Sequence, residues 1–446
     1  MLPAEFIARM QRLLLEQYDA FAACYDAPRH TALRINRLKT DAPPDLTRFG
    51  LTPVPWAKDG YYYAPDTRPG LCAYHDAGLY YLQEPSAMAP VGLLNAQPGE
   101  RVLDLCAAPG GKSTQLASEM AGRGLLVCNE INGKRAQILS SNIERMGIAN
   151  ALVLNEHPAR LAERFAGFFD KILVDAPCSG EGMFRKEPIA AEEWTPDTPA
   201  MCAARQLEIL HSAAQMLRPG GRLVYSTCTF SPEENEGTVS AFLRAHPDFS
   251  IETVPGTPFA PGRPDWIDGP VPGLEHTFRL WPHLLAGEGH YTAVLRRAGD
   301  AAPADVPYER GAKLPRELLD FAKDAGAAIP EGTPVCFGPT VYLAPQALPQ
   351  LAGLKVLRAG LRLGESKKGR FEPAHAWALW LKTAVRTADF AESAQETARY
   401  LAGEAIPGEQ AGWTLVRVDG LSLGWVKGAD GQLKNHYPKA LRRRNG

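Results

Sequence analysis

From about residue 95 to 299 the chain alternates two hydrophobic patterns. Short, near-continuous apolar runs rich in β-branched residues occur at RVLDLCA (101–107), GLLVCNE (124–130), ALVLNE (151–156), KILVDAP (171–177) and RLVYSTCT (222–229). Runs of this kind predict strands buried on both faces. Between them KSTQLASEM, GKRAQILSSNIERMG, ARLAERF and MCAARQLEILHSAAQML carry apolar residues at helical spacing. A last helix is expected in PEENEGTVSAFLRAH, with Ser231 as its cap and Pro232 at its first position. Two further strands are expected near FSIETV (249–254) and HYTAVLRRA (290–298), joined by a Pro/Gly-rich excursion. Such alternation gives an α/β, Rossmann-like, mostly parallel sheet with right-handed crossovers. Seven strands are expected, one or two more than an ordinary dinucleotide fold.

The flanks read differently. Residues 1–92 mix helical and short strand patterns. They open on MLPAEFIARMQRLLLEQYDAF, which has helical spacing but no basic start or small-residue cleavage site, so a first helix is expected rather than a signal peptide. AGDAAPADVPYERG (298–311) is Pro/Ala-rich and predicts a linker over 300–311. The expected organisation is an N-terminal domain at 1–92, a catalytic domain at 93–299, and a C-terminal α+β region at 312–446. A chain of 446 residues suits two or three domains. With 45% apolar and 22% charged residues it has the composition of a globular protein. No apolar run approaches the roughly 18 residues that span a bilayer, so membrane and secreted classes are set aside and a cytoplasmic monomer is expected. The eight cysteines include no C-x-x-C pair and the ten histidines no H-E-x-x-H spacing. No metal site or structural disulfide is therefore expected.

In a doubly wound sheet, ligands bind beyond the carboxyl ends of the strands where strand order reverses. The first such turn is Cys106-Ala107-Ala108-Pro109-Gly110-Gly111-Lys112, whose small residues let backbone approach a ligand at a helix start. A phosphate-cradling P-loop needs glycine where Cys106 stands, and the dehydrogenase pattern G-x-G-x-x-G is absent. S-adenosylmethionine carries no phosphate, and its ribose calls for an acid at the end of the second strand. Glu130 stands there, about 20 residues downstream.

Two cysteines end neighbouring strands: Cys178 in Asp175-Ala-Pro-Cys-Ser-Gly180 and Cys228 in Ser226-Thr-Cys-Thr229. Singly, each reads as a buried thiol. Together, beside the switch point and with Asp175 three residues before one of them, they suit a particular chemistry. Carbon 5 of a pyrimidine is a poor nucleophile until a thiolate adds to carbon 6 and makes the ring an enamine. An acid near nitrogen 3 stabilises that adduct, and a base must then remove the carbon-5 proton so that the thiol can leave. An amino-group methyltransferase would instead carry a polar-Pro-Pro-aromatic run after the fourth strand.

At LRINRLKT (33–40), YYLQEPSAM (80–88), DLCAAPGGKST (104–114), VDAPCSGEGMFRK (174–186) and YSTCTFSPEENE (225–236) the chain resembles the Nop2/Sun RNA cytosine-C5 methyltransferases, and its ordering is most like the bacterial 16S ribosomal RNA methyltransferase F branch. The resemblance implies that Cys228 attacks the base, that Cys178 assists release, that Asp175 and Lys112 complete the catalytic set, and that Cys106 to Lys112, Glu130 and Asp175 contact S-adenosylmethionine. DNA cytosine-C5 enzymes use the other cysteine as nucleophile, so a reversed assignment is the alternative. Where many members place an acid after the third strand, this chain has His157, and Arg135 is the substitute candidate near the adenine. A PUA-like RNA-binding module is implied from about 371, with strands in GWTLVRVDG (412–420) and LSLGWVKG (421–428).

Net charge is −2, but basic residues cluster. Arg34, Arg37 and Lys39 lie in an acid-free stretch, Lys367, Lys368 and Arg370 close the basic run 355–370, and Arg442 to Arg444 lie in the tail. Such stripes predict contacts to RNA phosphates. The RNA expected is 16S rRNA or the small ribosomal subunit. Transfer RNA as substrate, or an inactive methyltransferase fold acting in ribosome assembly, are the rivals.

Overall fold

The seven strands expected from the sequence all form in the computed structural model, which describes residues 2–443. They are β1 (Arg101–Asp104), β2 (Leu125–Asn129), β3 (Ala151–Leu154), β4 (Phe169–Asp175), β5 (Leu217–Thr227), β6 (Phe249–Ile251) and β9 (His290–Arg297). The sheet gains three more: β7 (Ala260–Pro261) and β8 (Phe278–Leu280) from the excursion, and β10 (Val356–Ala359) from the C-terminal region. The ten strands run β7-β8-β9-β5-β4-β1-β2-β3-β10, with β6 paired to β9. The pairs among β1 to β5 are parallel, and β9 and β10 join antiparallel. Successive side chains leave opposite faces of a strand. Leu103, Val127, Leu152, Ile172 and Leu223 therefore fill one core, and Val102, Leu126, Val153, Leu173 and Val224 the other. All ten are 0% exposed, which is why these strands read as unbroken apolar runs.

The crossover helices are α1 (Gly111–Glu119), α2 (Gly133–Arg145), α3 (Pro158–Arg164), α4 (Pro188–Glu193), α5 (Thr198–Met216) and α6 (Thr238–Ala245). Asn132 caps α2 by accepting from the N–H groups of Lys134 and Arg135. His157 caps α3, with Pro158 at the first position. The start expected at Ser231 differs: a wide π-type turn, Glu233–Gly237, precedes α6. Three consecutive side chains, Glu234, Asn235 and Glu236, are each 0% exposed there. They meet Ser179, Thr227 and Arg279 respectively, which an ordinary helical pitch would not allow on successive positions.

The flanking segments lean on this frame. An N-terminal helix pair, Ala4–Leu14 and Tyr18–Ala23, inserts Phe6 and Phe21 among Phe184, Trp194, Phe230 and Trp281. A four-stranded antiparallel sheet follows, built from Ala32–Ile35, Thr52–Pro53, Gly60–Tyr62 and Tyr80–Leu82. Residues 300–311 hold no helix and run along the catalytic domain, with the Ala304 N–H on the Gly167 carbonyl and Arg101 reaching Ala304 and Tyr308. Beyond them lie a four-stranded sheet and a five-stranded one. The latter includes Gly412–Val418 paired antiparallel with Leu421–Ala429, as the sequence led us to expect. Among the described residues no helix is long and apolar enough to cross a membrane.

Candidate active site

The carboxyl ends of β1 to β5 open into one cavity of about 1110 Å³. Cys106 and Ala108 after β1, Glu130 after β2, His157 after β3, Asp175 and Cys178 at the end of β4, and Cys228 after β5 all line it. The reversal of strand order lies between β1 and β4, where such sheets hold their ligands. Met183, Trp194, Arg205 and Ile209 form a further wall.

Cys178 and Cys228 face each other there, sulfur to sulfur at 3.3 Å, both as free thiols. The hydrogen bond to Cys228 and burial push the Cys178 thiol well above its ordinary value. Buried polar groups fix the two turns. The Glu234 carboxylate accepts from the Ser179 N–H (2.9 Å), from the Ser179 hydroxyl and from Gln206 Nε2 (2.8 Å). Gln206 Nε2 also reaches the Pro177 carbonyl at 3.0 Å, and the Ser179 and Thr229 hydroxyls are 2.8 Å apart. Glu234 thus holds Ser179 directly, Pro177 through Gln206 and Thr229 through Ser179. Burial pushes Glu234 up to about 7.

Asp175 is the electrostatic centre. Lys112 Nζ donates to its Oδ2 at 2.7 Å, the Ser226 hydroxyl to its Oδ1 at 2.8 Å, and His290 Nε2 lies 3.6 Å from Oδ1. Burial opposes the charge on Asp175, but Lys112 and His290 outweigh it and hold the carboxyl well below the usual range. Asp175 raises Lys112 in turn, against its own burial. At the other end of the cavity Glu130 is 4% exposed. It accepts the Asn132 N–H at 2.8 Å and lies 3.6 Å from Arg135, whose guanidinium donates to the Ala108 carbonyl at 2.8 Å. Gly110 caps α1 at φ +113°, where a side chain would be strained and its Cβ would stand 3.1 Å from Leu139.

The sequence-derived residues therefore divide. Cys106, Ala108, Glu130, Arg135, Asp175, Cys178 and Cys228 line the cavity, and Lys112 reaches it through Asp175. Ala107, Pro109, Gly110 and Gly111 shape the turn behind the wall. His157 lines the cavity but spends Nδ1 on the Ala159 N–H.

The expected RNA contacts need correction. Arg34 is 1% exposed and bonds Gln83, Thr114 and the Gly111 carbonyl, so it buttresses the glycine turn and does not face solvent. Arg37 is paired with Asp59. Lys39 donates to the Leu379 carbonyl, and burial lowers it to about 7. Lys367 and Arg370 are paired with Glu372, just beyond the run, and Lys367 also with Glu365. Lys368 is exposed, without an ion pair among the described residues, and Arg444 lies outside those residues. The sequence reading missed the Glu234 clamp, although three acids in PEENE before an apolar helix were a signal, and it missed His290.

The strand order and the cavity define the catalytic region as a Rossmann-type methyltransferase, and its thiol-bearing turns are those of the Nop2/Sun group. The model described as 16S rRNA methyltransferase RsmB/F matches residues 91–296. Models for the RsmF N-terminal domain, first C-terminal domain and PUA domain match 2–85, 320–381 and 387–443. Ribosomal RNA small subunit methyltransferase F of Klebsiella pneumoniae is 34% identical over 98% of this chain and 96% of its own length. Its namesake in Erwinia tasmaniensis is 31% identical over the same shares. Among solved structures, a methyltransferase homolog protein from Pyrococcus horikoshii is 29% identical, with a TM-score of 0.58 over 65% of this chain and 93% of that one. NSun6 from the same organism, at 22% identity and TM-score 0.55 over 67% of this chain and 99% of its own, shares the fold. The chain belongs to the RsmB/F family of methyltransferases.

Proposed function

We propose that this protein methylates carbon 5 of cytosine in 16S ribosomal RNA through a covalent adduct with Cys228, using S-adenosylmethionine. The observation that carries the reading is the pair of free thiols at 3.3 Å beside Asp175 and Lys112, on a cavity larger than the ~300–1,000 Å³ of ordinary ligand sites. The RNA is assigned from the relatives' names, which call them small-subunit ribosomal RNA methyltransferases.

The residues present fit the methyl donor. Glu130 offers a carboxylate for ribose hydroxyls, Cys106 to Lys112 bring backbone close, and Asp175 and Lys112 present opposite charges for an amino acid moiety. When bound, S-adenosylmethionine supplies an electrophilic methyl group. The chain does the rest. The Cys228 sulfur, once it has given its proton to solvent, adds to carbon 6, and its electron pair moves through the ring to make carbon 5 nucleophilic. Lys112 stabilises the charge that reaches nitrogen 3 and its neighbouring groups, and Asp175 orients Lys112 and carries a proton to nitrogen 3. Once Cys228 is a thioether, Cys178 no longer faces a thiolate. It gives its proton to solvent and takes the one on carbon 5, and the Cys228 sulfur then departs.

The test is bisulfite mapping of total RNA from a strain lacking the gene and from its parent. The expected result is loss of 5-methylcytosine at one or more 16S positions. Loss confined to transfer RNA, or no loss, overturns the assignment.

A further inference from the structure

His290 opens β9 in the strand pair that reaches the thiols, since Tyr291 pairs with Thr227. It is 5% exposed, and its Nε2 has no hydrogen-bond partner among the described residues. That orphaned nitrogen lies 3.6 Å from Asp175 Oδ1. The other ring nitrogen, Nδ1, lies 3.0 Å from the Gly289 carbonyl. Both ring nitrogens therefore face acceptors. A neutral imidazole has one donor only and would turn a lone pair toward one of those oxygens. The imidazolium has two donors and turns one toward each.

The charges around the reacting atoms now need counting. Lys112 Nζ is 2.7 Å from Asp175 and already neutralises it. A protonated His290 gives the group one surplus positive charge. The Cys228 thiolate, whose charge Lys112 also feels, cancels that surplus. When the thiolate adds to carbon 6, its negative charge moves into the ring toward nitrogen 3, and a proton is needed there. Asp175 has none to give, because Lys112 and His290 together keep it ionised.

We infer that His290 acts through Asp175 as a positioning residue for the addition step, holding the carboxylate as its second counter-ion and supplying the proton that nitrogen 3 takes. The step balances. The Cys228 electron pair forms the sulfur–carbon 6 bond, ring electrons pass to nitrogen 3, and a proton moves from His290 Nε2 to Asp175 and from Asp175 to nitrogen 3. Elimination reverses it, returning the proton to His290 as the sulfur leaves. No external reagent is required. The 3.6 Å separation is too long for a hydrogen bond in the free protein. Catalytic hydrogen bonds of this kind tighten on substrate binding.

The other titratable groups around the pair are Lys112 from α1, Asp104 from β1, and Cys228 after β5. On the chain before His290, Glu288 is paired with Arg185, and Glu84 accepts the Glu288 N–H. Of these, Lys112 is the competing proton source.

The inference rests on the cytosine-C5 reading, so the substrate is unmodified 16S rRNA, naked and in 30S particles, from a strain lacking the gene. Single-turnover methylation is followed from pH 6 to 10 for wild type and His290→Gln, which keeps a donor but cannot titrate. His290→Asn replaces it if His290→Gln fails to fold. The wild-type rate should pass through a maximum and fall on its alkaline side. His290→Gln should lack that alkaline fall. It should be slower by on the order of 100-fold near neutral pH, the low end of general acid assistance, with the gap closing along the wild-type alkaline limb. An unchanged alkaline limb in His290→Gln would assign the proton to Lys112 and overturn the proposal. So would a rate loss equal at every pH. If wild type makes no 5-methylcytosine, the underlying reading fails instead, and the nucleoside product distinguishes the two.

Discussion

Removing the Glu234 carboxylate should loosen both cysteine turns at once. In Glu234→Ala the Ser179 N–H and Gln206 Nε2 lose an acceptor, and the Ser179 hydroxyl loses another. Ser179 and Gln206 are 9% and 0% exposed, so water replaces little of this. A buried donor left without a partner costs about 1–3 kcal/mol. Two N–H donors therefore give about 2–6 kcal/mol, partly offset because wild type already bears the cost of burying an acid that sits at about 7. A net loss of about 2–4 kcal/mol should lower the melting temperature by roughly 4–15 °C for a catalytic domain of this size. Glu234→Gln keeps one acceptor oxygen and should lose about half as much. The assay is thermal unfolding by circular dichroism, with a parallel measurement of covalent RNA adduct. In the proposed mechanism, release requires Cys178 to be aligned with the base bound to Cys228. The substitution should therefore slow release more than addition, and adduct should build up. A melting temperature within 1 °C of wild type, with unchanged turnover, would refute the clamp.

Glu130→Ala should weaken S-adenosylmethionine binding by about 1.5–3 kcal/mol, the worth of a charge-assisted contact, and leave RNA affinity unchanged; calorimetry showing equal losses for both ligands would mean misfolding. Replacing Lys367, Lys368 and Arg370 by Ala should flatten the salt dependence of RNA binding by only about 0.9, one phosphate contact, because Glu365 and Glu372 already neutralise two of the three. Anisotropy titrations at several salt concentrations that flatten by more than about 2 would show that RNA displaces those acids. Burial pushes Asp104, Glu119 and Glu234 up to about 7, so the folded chain holds protons that the unfolded chain gives up, and each of these acids makes stability fall as pH rises from about 4.5 to 7. His75 and His375, lowered by burial to about 3 and about 4, take up protons only on unfolding and oppose that fall below about 6.5. Lys39 is lowered to about 7, so the unfolded chain binds the extra proton above that pH, and stability should recover toward 10. Melting temperatures across pH check both limbs: Glu119→Gln should make the slope between pH 5 and 7 more positive than in wild type, and an unchanged slope contradicts the first.

The central sheet was legible because burial on both faces writes itself as unbroken apolar runs, and RVLDLCA, GLLVCNE and KILVDAP mark their strands to within three residues at either end. The site was legible where chemistry sits at strand ends: Cys178, Cys228, Asp175 and Glu130 were found by position alone. What stayed hidden depends on distant partners. β10 is a strand in isolation, and nothing local says that Val356 pairs with Leu154 across two hundred residues. Arg34 and Lys39 look like surface cations until Gln83, Thr114 and Leu379 arrive from other segments. His290 carries no motif; only the fold brings it to Asp175.

If Cys228 bonds the base and Cys178 frees it, trapping the adduct separates the two roles. Cys178→Ala and Cys228→Ala, each incubated with S-adenosylmethionine and unmodified 16S rRNA, are digested and the cross-linked peptide is sequenced by mass spectrometry. Cys178→Ala should accumulate a complex joined at Cys228 through a methylated cytosine, and Cys228→Ala should give neither adduct nor product. An adduct at Cys178 in the Cys228→Ala protein, with none in Cys178→Ala, would contradict that assignment.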